Sequence, residues 1–142
     1  MTRAVPARGA IVAVLLFLTC GPAAAADQFP FNQELLLDAA PMRPGKRMPI
    51  LTVEPDGNAQ IDLWCKTVSA RLEISETAMK IETGPLPEGL PGMLSAGQCT
   101  PERIKADEEL LADFAQITGW RRHGEGIVLE GPKTLRFRAS DH

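Results

Sequence analysis

The chain has 142 residues, 15 Lys and Arg against 18 Asp and Glu, a net charge of −3 and an aromatic content of only 5%. An acidic chain this poor in aromatic rings is badly suited to nucleic acid or anionic lipid headgroups, which call for clustered cations and stacking faces.

Residues 1–26 read as a cleaved secretory signal rather than as part of the fold. Arg3 and Arg8 give a positive start, residues 10–20 form a short apolar run, and Pro22 breaks it. Ala24, Ala25 and Ala26 then supply the small residues of a cleavage site, which places the cut after Ala26 and the mature chain in the periplasm or outside the cell. A lipid anchor at Cys20 is the competing reading, but Phe17 and Thr19 depart from a lipoprotein box. Without Arg3 and Arg8 the basic count falls from 15 to 13 against 18 acids, a mature charge of −5. The rest is one domain of ordinary size: residues 27–49 supply an N-terminal strand and linker, and residues 50–139 the main body.

Period-two alternation dominates the mature chain. Residues 34–39 and 49–54 predict the first two strands, and residues 59–65 a third, with Ile61, Leu63 and Cys65 on one face and Trp64 on the other. Residues 70–75, 78–83, 126–131 and 134–139 continue the pattern, separated by turn signals at 55–58, 75–77, 123–125 and 131–133. The inward set is Leu63, Leu72, Ile74, Met79, Ile81, Leu129 and Phe137. One helix interrupts the strands at about 100–118. Thr100 stands at its N-cap, Pro101 at its first position and Gly119 at its end, with Leu110, Leu111, Phe114 and Ile117 on one stripe. These elements make a mainly β, α+β protein, an antiparallel barrel-like sheet with one amphipathic helix packed on it. Asp107 falls within the apolar stripe and reads as a buried structural acid, bonded to Arg103 or to backbone N–H groups. Two loops stand out: residues 43–49, with Arg43, Lys46 and Arg47, and the long Pro/Gly-rich stretch 84–98 with Leu86, Leu90, Met93 and Leu94.

The stretches "GNAQIDLWCKTVSARLEIS" (57–75) and "GQCTPERIKADEELLADFAQITGWRRHGEGIVLEGPKTLRFRAS" (97–140) carry a further pattern. A strand runs to a cysteine, a strand pair follows, a second cysteine leads into a helix with an acid and an "LL…F" stripe, and two strands close the chain. This resembles the META domain, the family that includes the HslJ heat-shock proteins, and the chain looks like a divergent member. The resemblance implies a calycin-like barrel, an envelope or secreted location, and no established catalytic motif.

Cys65 and Cys99 remain once the signal is removed. In an exported chain two cysteines most often oxidise to each other, and Cys65 faces inward toward the sheet that the Cys99 helix covers. A thiolate at Cys99, favoured by the helix N-terminus, is the other reading; it lacks a nearby resolving cysteine, and His123 and His142 are the only histidines. Cys65, Cys99 and His123 are not at metal-ligand spacing, so neither a metal nor a cofactor is expected.

These features lead to a non-enzymatic exported protein that serves envelope stress or maintenance by binding another protein or envelope component. Trp64, Leu90, Met93, Leu94 and Trp120 are its candidate contact surface. A carrier of a small apolar ligand is the alternative, and it requires a cavity lined by the inward set. A thiol-redox protein acting through Cys99 is the third reading.

Overall fold

The computed structural model describes residues 14, 28–42, 47–87 and 99–140. The described residues form eight strands: β1 (Leu35–Leu37), β2 (Ile50–Val53), β3 (Asn58–Asp62), β4 (Thr67–Ile74), β5 (Met79–Thr83), β6 (Gly119–His123), β7 (Gly126–Glu130) and β8 (Leu135–Ala139). Helix α1 (Pro101–Ala115) lies between β5 and β6 in the chain.

All pairings are antiparallel, in the order β5-β4-β3-β2-β1-β8-β7-β6. Apart from β5 and β6, which stand at the two edges, strands consecutive in sequence are therefore paired, the order of an up-and-down barrel. β1 joins the two ends of the chain, with Leu35 opposite Leu51 on one side and Ala139 on the other. The barrel nearly closes through one bridge, Ala78 to Gly119, where the N–H of Met79 donates to the Thr118 carbonyl and that of Trp120 to the Thr77 carbonyl, both at 3.0 Å. Alongside the rest of β5 packs α1. The mainly β barrel-like sheet with one helix is thus the architecture that alternation predicts.

The inward side chains form one core that includes Leu35, Leu51, Ile61, Val68, Ile127 and Leu129. α1 contributes Leu110 and Phe114 to it, with the Phe114 ring stacked on Phe137 at a centroid distance of 6.0 Å. The buried stripe of the helix is Arg103, Asp107, Leu110 and Phe114, at helical spacing. Thr100 caps the helix as expected, its Oγ1 accepting the N–H of Arg103 at 3.2 Å, and Pro101 opens the first turn.

Among the boundaries that differ from the sequence expectation, three follow from tertiary contacts. The helix stops at Ala115, with Gln116 as its C-cap, because Ile117 must turn into the core and the Thr118 N–H donates to the Glu130 carbonyl. Gly119 accordingly does not end the helix but opens β6, where a Cβ would sit 3.0 Å from the Thr77 carbonyl oxygen across the bridge. β6 itself has no apolar alternation to announce it, since only Trp120 is buried among Trp120, Arg121, Arg122 and His123. Finally, β3 ends at Asp62 rather than Cys65. Leu63 to Lys66 form a turn closed by the Leu63 N–H on the Lys66 carbonyl at 2.7 Å.

Candidate functional site

The residues with chemical character converge where the 63–66 turn meets the start of α1. Cys65 and Cys99 are joined by a disulfide, with their Cα atoms 5.2 Å apart. Eight residues beyond Cys99, two turns into the helix, Asp107 reaches the same turn. Its carboxylate accepts the N–H of Cys65 at 3.1 and 3.2 Å and that of Lys66 at 2.9 Å. Arg47 holds the turn from the other side, its Nε donating to the Leu63 carbonyl at 3.1 Å. A turn that leaves consecutive N–H groups free of a ladder must satisfy them elsewhere when it is buried, and Asp107 does so.

Asp107 is fully buried, and that burial raises its pKa above the ordinary 3.8; the N–H groups of Lys66, Cys65 and Trp64, and the nearby Arg47 charge, pull the other way. Of the two partners expected for Asp107, the backbone is the one observed in its hydrogen bonds. Arg103 is also buried on the helix stripe, where its Nη2 donates to the Met42 carbonyl at 2.7 Å. The sequence exposed Asp107 through its misplaced charge and marked Arg47 as one cation of the 43–49 loop, but not its role, which depends on a turn distant in sequence.

The two tryptophans named as candidate contact residues are both buried. Trp64 is 7% exposed, because the turn tucks Leu63, Trp64 and Cys65 in succession beneath the helix instead of continuing the strand. Trp120 is 2% exposed; it packs edge-on against Phe29 at 5.2 Å, and its Nε1 donates to the Ser75 carbonyl at 2.7 Å. The two lie beyond opposite ends of β4, one at the turn before it and one bonded to the turn after it. Leu90, Met93 and Leu94 lie outside the described residues.

Trp64 does line an open groove of about 420 Å³ together with Leu37, Met42, Ala106, Leu110 and Leu135; Glu109, Asp113 and Lys133 stand on its rim. The ion pair of Lys133 with Asp113, at 3.4 Å, lies along that rim. Leu63, Leu72, Met79, Ile81, Leu129 and Phe137 belong to the single core cluster, with Ile74 half-buried against it. Among the described residues no helix is long and apolar enough to cross a membrane, and no three His, Cys, Asp or Glu side chains gather as a metal set.

Fold and site together define a small helix-sealed antiparallel barrel whose helix is stapled to a buried turn. Comparison of the chain with protein-family models, with curated proteins and with solved structures gives no match.

Proposed function

We propose that this is an exported META-domain protein of the bacterial envelope that works by binding another envelope protein and catalyses no reaction. One observation carries the reading: the side chains with the greatest chemical potential, Cys65, Cys99 and Asp107, all tie α1 to the 63–66 turn. A thiol held in a disulfide and a carboxylate filled by backbone donors are scaffold, which leaves the surface to act. The groove beside Trp64, with an apolar floor and a charged rim, supports a protein contact at that end of the barrel.

The test has two parts. Intact mass of the exported protein is expected to show cleavage after Ala26, no lipid on Cys20 and the loss of two hydrogens for the bridge. A photo-crosslinking residue at Glu109 or Lys133 on the groove rim is then expected to trap a protein in intact envelopes, whereas the same residue at Gln60 on the far strands is not. Equal trapping at both places, or none at either, sinks the reading. The apolar-ligand carrier keeps the support of the eight-stranded order alone. Co-purifying lipid in native mass spectra would favour it over the protein-binding reading.

A further inference from the structure

The outer face of β6, β7 and β8 holds two parallel rows of side chains. In one row the register sets Arg121 opposite Val128 and Val128 opposite Arg136. In the other His123 faces Gly126, and Gly126 lies so close to β8 that a Cβ would come within 2.0 Å of the Phe137 carbonyl oxygen and 2.9 Å of the Arg138 Cα. The uncharged Val128 thus lies between Arg121 and Arg136, and Gly126 lies between His123 and β8. The middle strand becomes the floor of a trough, with Val128 1% exposed and Gly126 buried. An open groove of about 340 Å³ follows it, and Asp38 and Glu125 stand among its lining residues.

Like charges on one sheet face repel, and a fold with 18 acids has ample means to neutralise them. Arg121 is paired with Glu130 at 3.7 Å. Arg136 and Arg138 make no ion pair among the described residues, although they stand side by side on one strand. Their spacing, about 7 Å for alternate residues of a strand, is also the spacing of alternate carboxylates on an extended peptide.

We propose that this trough binds an extended acidic segment of the partner protein, laid along β7 with alternate Asp or Glu side chains against Arg136 and Arg138. The inference rests on the protein-binding reading above and names the chemistry of the partner. A peptide fits better than an anionic bilayer. The floor is recessed between its banks, where a single extended chain can follow the groove with its acids on the Arg136 and Arg138 side, away from Asp38 and Glu125, and a flat layer of headgroups cannot. The contact is made by side chains across a sheet face, so it needs no free strand edge.

The experiment uses the purified chain and a short labelled peptide alternating Asp and Thr, with an Asn-for-Asp peptide as control. Saturable binding of the Asp peptide that weakens with added salt is expected, together with amide shifts confined to β6–β8. The double variant R136Q/R138Q is expected to weaken that binding about tenfold or more, and R121Q on the opposite bank to weaken it less. Both replace exposed side chains, and an unchanged unfolding midpoint verifies that each is folded. Binding shared by the Asn peptide, binding unchanged in the double variant, or shifts elsewhere on the barrel would overturn the proposal. So would tighter association with phosphatidylglycerol vesicles than with the peptide. Because the assay needs no envelope, it can fail while the rim crosslinks at Glu109 and Lys133 stand, and the reverse also holds.

Discussion

The junction between α1 and the 63–66 turn and the outer face of β6–β8 use charge in opposite ways. At the junction a fully buried carboxylate is met by backbone donors and backed by a covalent bridge, and a guanidinium from the 47–49 segment completes the clamp. On the β6–β8 face, cations stand in the open beside one another, and Arg136 and Arg138 have no acid of the described chain to answer them. Satisfied buried charge marks the part of the molecule that holds shape. Unanswered exposed charge contributes little to stability and is free for a partner. The difference separates scaffold from working surface without appeal to a catalytic group.

That contrast can be broken by substitution, and the largest effects belong to the helix side. Phe114→Ala removes the ring that α1 sets against Phe137, and chemical denaturation is expected to show a loss of about 3–5 kcal/mol. Replacing Cys65 and Cys99 together by Ser releases a closed loop with a sequence separation of 34. The entropy model puts that at about 3–4 kcal/mol, read as the difference between the variant and oxidised wild type. A loss far below this would mean that Asp107 and the apolar stripe already hold the helix in place.

Asp107→Asn leaves buried N–H groups short of an acceptor and is expected to lose about 1–3 kcal/mol. Its pH dependence sharpens the comparison further. Burial lifts the folded pKa above 3.8, so the folded chain keeps this proton to higher pH than the unfolded chain does. The stability that Asp107 adds relative to the Asn variant is therefore greatest below the unfolded value and declines as pH rises through the raised one. Paired urea titrations from acid to neutral pH check the sign; a difference that grows with pH would show that the backbone donors outweigh burial. Thr100→Ala, which removes the N-cap acceptor, is expected to lose about 1 kcal/mol. At the far end of the scale, R136Q/R138Q is expected to stay within about 0.5 kcal/mol of wild type. A large loss there would place the two arginines with the scaffold.

Local patterning carried the barrel strands well. In β4 and β5, Leu72, Met79 and Ile81 point inward on strict alternation, and each is buried in the core. Thr100 and Pro101 announced the helix start for a reason confined to one turn of chain, the need to satisfy or forgo the first N–H groups. Asp107 was legible as an anomaly, an acid on an apolar stripe. The failures came where a distant element takes over: Trp64 is covered because α1 lies across its turn, and β6 exists because β7 supplies its ladder while Trp120 alone fills the interior. The rows on β6–β8 were hidden for the same reason, since Arg121, Val128 and Arg136 become neighbours only through register.

From the amino-acid order alone came the class of fold, the helix and its cap, and the two cysteines suited to pair. Each follows from interactions spanning a few residues or from side-chain periodicity. Closure of the barrel through Ala78 and Gly119, the capture of the 63–66 turn by Asp107 and Arg47, and the trough along β7 depended on the assembled molecule. They arise from pairings between segments far apart in the chain, where backbone groups and charges find their partners only after the sheet has curled and the helix has docked.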